Sequence, residues 1–157
     1  MNATRLKQDP QRLYVRKMDT QWIVGFTDGE GCFHVGINSK GIDKVDKQLK
    51  LGVQVLPEFT ISQHKADVKV LYALKSHFDC GVVRKNHGNT FCFRVRGHEN
   101  LKFRVVPFFE KHKLKTRKGV DFLKFRKVIQ IMDRQEHLTQ EGLEQIRKIK
   151  SSMNNPL

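Results

Sequence analysis

The sequence predicts an α+β fold in which an antiparallel sheet of four strands carries helices on one face. Apolar and polar residues alternate along residues 33–38, 49–62 and 91–96, and this period of two is typical of half-buried strands. Apolar residues at helical spacing occupy residues 19–28 and 64–78, just before each pair of predicted strands. Because each strand pair follows a helix and further helical segments close the chain, we expect one sheet packed against helices.

The first helix is predicted over residues 19–28, since Asp19 can cap its first turn and two glycines closely follow Asp28. A strand over residues 33–38 comes next. The polar and charged residues 41–48 then predict a loop.

A longer strand is predicted over residues 49–62, where Pro57 indicates an edge or a bend. The second helix occupies residues 64–78. Residues 81–86 and 91–96 are expected to pair as a hairpin, because the intervening sequence HGNT is typical of a turn. No internal repeat is present, so this unit occurs once.

Three more helical segments are predicted in the last third of the chain, over residues 99–111, 116–134 and 139–151. Pro107 falls inside the first of them and marks a break, because proline removes a backbone donor. Thr116 is a candidate cap at the start of the second.

The length of 157 residues fits one ordinary domain, which we place at residues 18–151. Residues 1–17 are polar and basic and predict a loose leader. Residues 152–157 predict a frayed tail.

The formal net charge is 30 − 16 = +14, which indicates a polyanionic partner, nucleic acid first and an anionic membrane second. No apolar run approaches the ~18 residues of a membrane span. Of the two polyanions, nucleic acid is the expected partner, and no membrane partner is expected. Cys32, Cys80 and Cys92 are an odd, widely spaced set without a CxxC pair. They favour a reducing compartment and argue against a disulfide framework or a zinc finger.

The predicted strands present one apolar face and one polar face. Arginine can bond bidentately to guanine, and glutamine or asparagine to adenine, so a polar face of this composition suits a DNA groove. A solvated sheet face is the alternative interpretation, and the net charge favours nucleic acid. The candidate contacts on this face are His34, Asn38, Lys50, Gln54, Thr60, Arg84, Arg94 and Arg96.

Positive charge also clusters downstream of the strands. Residues 101–130 contain ten Lys or Arg against two acids, and five of these cations fall within residues 111–118. Some of them belong to an ordinary solvated loop. A run of this density favours contact with phosphates, and Lys113 near its middle is our candidate.

The sequence WIVGFTDGEG, residues 22–31, carries the most chemical information. Gly25 and Gly29 lie four residues apart on one helix face, where two backbones can approach each other. Asp28 and Glu30 stand at the helix end, where a carboxylate and free carbonyls suit a hard cation such as Mg²⁺. For a tetrapeptide such as DGEG, residues 28–31, a helix that simply ends at the surface is the commoner explanation.

Residues 23–31, IVGFTDGEG, resemble the LAGLIDADG motif of homing endonucleases. The resemblance extends along the chain in the family's order. The segments FTISQHKADVKVL, FDCGVVRKN and PFFEKHKLKTRKGVDFLKFRKVI resemble its second strand and following helix, its third strand and its later helical region.

The resemblance implies the αββαββα homing-endonuclease fold, a saddle of antiparallel strands over the DNA major groove. One motif per chain implies a homodimer whose motif helices pack through Gly25 and Gly29. It also implies that Glu30 binds a catalytic Mg²⁺ near the scissile phosphate, with help from the Gly29 carbonyl. Mn²⁺ is expected to substitute, and Ca²⁺ to bind without supporting cleavage.

Two further roles follow from the resemblance. Gln63 matches a residue that positions water near the metal. Lys115 or Lys118 matches a basic residue that contacts the scissile phosphate, and the spacing leaves both open. Asp67 departs from the family, because some members carry a basic residue there.

The resemblance therefore favours a site-specific double-stranded DNA endonuclease of intron homing, acting on a long near-palindromic site in an organelle. An RNA-binding intron maturase on the same scaffold is the alternative, with intron RNA as its partner. A non-catalytic DNA-binding protein would explain the charge but not the acids at the helix end. The target sequence, and the choice between mitochondrion and chloroplast, stay open.

Overall fold

The computed structural model describes residues 18–39 and 51–155. The expected leader over residues 1–17, the expected loop over residues 41–48 and the candidate contact Lys50 lie outside these ranges. In the part of the chain that the structure describes, no helix is long and apolar enough to cross a membrane.

Helix α1, Thr20–Glu30, passes directly into strand β1, Gly31–Ser39. Asp19 caps the helix as expected, because its side chain accepts a hydrogen bond of 2.9 Å from the Trp22 backbone N–H. A Cβ atom at Gly31 would lie 2.6 Å from the Thr27 Cγ2 atom and 2.8 Å from the Thr27 carbonyl oxygen. Only glycine therefore lets helix and strand join without a linker.

The remaining strands are β2, Val53–His64, β3, Val82–Lys85, and β4, Thr90–Val95. They form one sheet in the order β1-β2-β4-β3, and each neighbouring pair is antiparallel. The predicted sheet and the predicted hairpin between β3 and β4 are confirmed.

Pro57 lies in the middle of β2, opposite Val35 of β1. The pairing of β2 with β4 begins only at Phe59, so Pro57 has a strand partner on one side alone. Pro57 is thus at a locally unpaired edge of β2 on the side toward β4, which agrees with the expected edge position.

The helices that follow differ from the sequence prediction mainly at their starts. A 3-10 turn, Lys65–Asp67, delays α2, because the His64 Nδ1 atom accepts a hydrogen bond from the Ala66 N–H. The segment expected as one helix over residues 99–111 contains a π-helical turn, and Pro107 stands in the first turn after it. The elements are α2, Val68–Phe78; α3, His98–Asn100; the π turn, Leu101–Val105; α4, Val106–Lys111; α5, Lys118–Asp133; and α6, Gln140–Ser151.

The core lies between the apolar sheet face and the helices. Phe33 of β1 is fully buried at its centre, with ring centroids of Phe59, Phe109, Phe122 and Phe125 at 5.0, 5.6, 5.4 and 5.3 Å. Rings from β2, α4 and α5 thus hold β1 in place.

The expectation of a frayed tail is wrong for residues 152–155. Met153 is 6% exposed, and the Asn154 side chain donates a hydrogen bond of 2.9 Å to the Phe33 carbonyl oxygen. The Asn154 backbone N–H also donates to the Asp121 carboxylate at 3.1 Å. These contacts fasten the segment after α6 to β1 and to the first turn of α5.

We expect Met153→Ala to lower the free energy of unfolding by about 2 kcal/mol, because it deletes a buried side chain and leaves a cavity. Chemical denaturation at neutral pH measures this loss. Gln145→Ala on the exposed face of α6 is the control and should change the value by less than about 0.5 kcal/mol. Equal effects for the two variants would show that residues 152–155 are not docked.

Candidate functional site

The end of α1 brings a carboxylate and backbone carbonyls to the surface. Glu30 is the last residue of α1, and its side chain is exposed. Gly29 is exposed too, and a Cβ atom built there would meet nothing within 4 Å. The C-terminal end of a helix carries partial negative charge, so this end of α1 attracts cations.

Asp28 ties this helix end to the segment before α5. Its carboxylate accepts hydrogen bonds from the Lys115 N–H at 2.8 Å, from the Thr116 N–H at 3.1 Å and from the Thr116 hydroxyl at 2.7 Å. Burial alone would raise the pKa of Asp28, but these bonds and the nearby Lys118 ammonium together lower it. Asp28 is therefore an ionised structural anchor.

The same contacts place one of the two candidate lysines. The Thr116 hydroxyl accepts a hydrogen bond of 3.2 Å from the Lys118 backbone N–H, and the Lys118 ammonium donates to the Gly31 carbonyl oxygen. Lys115 contributes its backbone N–H to Asp28, and its side chain is exposed. The structure thus places the Lys118 ammonium at the end of the motif helix.

Gln63 lies near the end of β2. Because Gly31 pairs with Ile61, Gln63 is two residues further along β2, at the same end of the sheet as Glu30. Its side-chain oxygen accepts a hydrogen bond of 2.8 Å from the His64 N–H. That bond leaves the Gln63 amide nitrogen as a donor toward a water or a phosphate.

The helix end fits a hard cation in its chemistry, since Glu30 and the nearby carbonyls offer only oxygen ligands. Among the described residues, no group of three or more His, Cys, Asp or Glu side chains could enclose a metal ion. An ion held by Glu30 therefore needs further oxygens from water, phosphate or a second copy of the chain. Mg²⁺ commonly binds in this way, through one or two carboxylates.

The polar sheet face assembles most of the predicted contacts. Strand register sets His34 opposite Glu58, Asn38 opposite Gln54, and Thr60 opposite Arg94. These side chains share the face that points away from the buried phenylalanines. Of the candidates, His34, Asn38, Arg84 and Arg96 are exposed, and Gln54, Thr60 and Arg94 are half-buried.

Arg96 differs from the expected picture of free cations on this face, whereas Lys113 lies in the basic segment downstream of the strands where it was predicted. Arg96 follows β4 directly, and its Nε donates a hydrogen bond of 2.7 Å to the Glu58 carboxylate. Lys113 lies off the sheet, in the segment between α4 and α5, where its side chain is exposed.

The three thiols are free, as expected. Burial raises the pKa of Cys32, Cys80 and Cys92, so each stays protonated at neutral pH and makes a poor nucleophile.

The outer face of α1 is apolar and open. Trp22 is 45% exposed and stacks on Phe26, with ring centroids 4.8 Å apart. Gly25 and Gly29 lie on the same face, and a Cβ atom at either position would meet nothing within 4 Å. These four residues, which we call the α1 stripe, follow the helical spacing i, i+3, i+4 and i+7.

A profile of the LAGLIDADG endonucleases matches residues 23–129, well over half of the chain, and the chain therefore belongs to this family. The match confirms the resemblance of the motif and of the segments after it.

Known structures share both the fold and much of the sequence. The homing endonuclease I-TnaI is 52% identical, with a TM-score of 0.82, and the similarity covers 90% of this chain and 91% of that one. I-SmaMI, solved on an uncleaved DNA target with calcium ions, is 32% identical with a TM-score of 0.81, over 88% of this chain and 45% of that one.

Among curated proteins, the "Probable intron-encoded endonuclease 2" of Neurospora crassa is 28% identical over 136 residues. The similarity covers 86% of this chain and 27% of that protein. The chain thus spans about a quarter of the length of this relative.

Sequence reasoning missed three residue pairs, two at Asp28 and one at Glu58. The bonds from Lys115 and Thr116 to Asp28 join residues 87 and 88 positions apart, and no local pattern indicates them. The pairing of Glu58 with Arg96 was accessible in part, because the alternation of β2 already places Glu58 on the polar face.

We expect Asp28→Asn to destabilise the protein by about 1–2 kcal/mol at pH 7, because charge-assisted hydrogen bonds are lost. The folded protein lowers the pKa of Asp28 below its ordinary 3.8, so its stabilisation is complete above that pH. The stabilisation is lost as the pH falls through the folded-state pKa. The gap between parent and variant should therefore narrow below pH 3.8.

Urea denaturation across this pH range measures the gap. Asp67→Asn is the control, because Asp67 is exposed and its side chain caps no helix. A gap that stays constant from pH 7 to pH 3 would contradict the anchoring role of Asp28.

Proposed function

We propose that this protein is a site-specific double-stranded DNA endonuclease of intron homing that hydrolyses phosphodiester bonds with the help of a divalent metal ion. The observation that carries the proposal is the meeting of Glu30, Asp28 and Lys118 at the end of α1. Membership of the LAGLIDADG endonuclease family supports it.

The polar sheet face is the proposed DNA-binding surface. It presents guanidinium and amide groups that can bond to base edges, on a chain whose net charge is +14. The DNA-bound structure of I-SmaMI, a homologue over 88% of this chain, supports DNA as the partner. Exposed lysines such as Lys113 are proposed to contact phosphates.

At the site, Glu30 and the Gly29 carbonyl are proposed to hold the metal, with Mg²⁺ as the expected ion. When bound, Mg²⁺ supplies Lewis-acid activation of water and neutralises charge at the leaving oxygen. The Gln63 amide nitrogen would orient a water molecule. The Lys118 ammonium, already at the helix end, would stabilise negative charge on the phosphate; Lys115 stays the alternative.

Two copies of the chain are proposed to pack through the α1 stripe. The two glycines allow close approach of the helix backbones, and burial of Trp22 and Phe26 would stabilise the contact. Such a homodimer places two Glu30 residues near one axis, one for each DNA strand. A two-fold protein suits the near-palindromic site that we propose as its target.

The intron-encoded relative from Neurospora crassa supports an origin of this chain within an intron, and we propose that it acts in an organelle. RNA binding as an intron maturase is the competing function. RNA binding alone does not explain why an exposed carboxylate, that of Glu30, stands at the helix end.

We expect Gly25→Leu to convert a dimer into a monomer. The fold itself has room for the new side chain, but a partner helix could no longer approach the backbone. Light scattering after size exclusion measures the mass. Gln145→Leu, on the exposed face of α6, adds the same side chain elsewhere and should leave the dimer intact. A parent protein that is a monomer and still cuts both strands would refute the proposed assembly.

We expect Glu30→Gln to reduce Mg²⁺-dependent cleavage roughly 100-fold or more, because it removes several kcal/mol of transition-state stabilisation. Binding to the same DNA in Ca²⁺ should persist or strengthen, since a charge that repels phosphate is gone. The substrate is a duplex selected by the parent from a randomised library, assayed at fixed salt.

Glu144→Gln on α6 provides the matched control, with the same change of charge at an exposed position. It should cut at the parent rate. A Glu30→Gln variant that also cuts at the parent rate would remove the central claim, and binding of intron RNA without any DNA cleavage would favour the maturase.

A further inference from the structure

Glu58 is the only acidic residue in the four described strands. It lies on the polar sheet face, and its side chain is 20% exposed. A carboxylate on a surface that faces phosphates weakens every contact with DNA through repulsion. Its presence beside Arg94 and Arg96 therefore requires a compensating role.

The contacts of Glu58 divide its two oxygens between two strands. One oxygen accepts the hydrogen bond of 2.7 Å from the Arg96 Nε atom. The other lies 3.9 Å from the Nδ1 atom of His34, which is the register partner of Glu58 on β1. Glu58 thus bridges an arginine and a histidine across the sheet face.

Arg96 is held at its backbone as well. The Asn100 side chain donates a hydrogen bond of 3.3 Å to the Arg96 carbonyl oxygen, and Gly97, with φ of 88°, turns the chain into α3. Main chain and Nε are therefore both fixed, so the guanidinium plane has a set direction.

The bond through Nε leaves the two terminal amino groups of Arg96 unused. Within the part of the chain that the structure describes, they make no hydrogen bond, and the side chain is 51% exposed. Two amino groups in a fixed plane match the O6 and N7 acceptors of guanine in the major groove. A freely rotating arginine would reach a phosphate equally well.

We propose that Glu58 determines DNA specificity by positioning Arg96 for base readout and by repelling phosphates from the same patch. This inference rests on the proposed DNA-binding function of the sheet face. Glu58 thus lowers affinity for all sequences and raises the preference for one.

Two substitutions separate the two effects. Glu58→Gln removes the charge but keeps an oxygen that can accept from Arg96, whereas Glu58→Ala removes both. We expect both variants to bind a scrambled duplex about threefold more tightly than the parent, because a repulsion is gone. Glu58→Ala should also lose discrimination by about tenfold at one base pair, and Glu58→Gln should retain most of it.

The measurement is equilibrium binding in Ca²⁺ at fixed salt, on the parent's selected site, on its single-base variants and on a scrambled duplex. Arg96→Ala should relax the same base pair as Glu58→Ala. The double variant should then lose no further discrimination, because the two residues act as one unit. Glu144→Gln should leave both affinities within about twofold of the parent.

The outcomes separate the inference from the function on which it rests. A parent that does not distinguish its selected site from scrambled DNA overturns the proposed function and the inference together. A specific parent whose Glu58→Ala variant keeps every base preference, or relaxes a base pair different from that of Arg96→Ala, overturns the inference alone. Circular dichroism checks that each variant is folded. If Glu58→Ala does not fold, Glu58→Gln still tests the effect of the charge.

Discussion

The direct junction of α1 with β1 at Gly31 determines the geometry of the whole site. Since a side chain there would collide with Thr27, the chain turns from helix to strand within one residue. The end of α1 is thereby fixed at the edge of the sheet, and β1 is held by the ring cluster around Phe33. Asp28 and Lys118 then bring the start of α5 to the same point. The junction of α1 with β1 thus meets the start of α5, which is distant in sequence, at one corner of the fold.

The positions of Asp28 and Glu30 at this corner determine which of the two carboxylates is free. Asp28 is spent on backbone donors and on Thr116, so it contributes little free negative charge. Glu30, two residues later, keeps its carboxylate in solvent. The two acids thus have different surroundings: Asp28 holds the segment before α5, and Glu30 is exposed, where we propose that a metal ion binds. An exposed carboxylate is unusual on a chain with a net charge of +14, as Glu58 is on the sheet face.

The sequence pattern predicted those features of the fold that depend on residues close together in the chain. The alternation along β1 and β2 gave the correct inner and outer faces, and Asp19 marked the start of α1, since a capping bond spans three residues. Contacts between distant residues escaped prediction. The sequence placed Met153 in a polar tail, whereas its side chain is buried, and the contact of the Lys118 ammonium with the Gly31 carbonyl joins residues far apart in sequence. The π turn before Pro107 also has no signature in residue spacing.

The α1 stripe has a consequence for how this scaffold can diversify. The inner face of α1 packs Ile23 and Val24 away from solvent, while Trp22, Gly25 and Gly29 of the stripe are exposed. Phe26 alone of the stripe also packs against the core. Folding and the proposed association thus depend on largely separate sets of residues. Two chains that differ only in their strands would present the same stripe, so unlike subunits could pair without redesign. The DNA-binding strands of the two subunits could then change independently of each other, while the helix that joins the subunits stays the same.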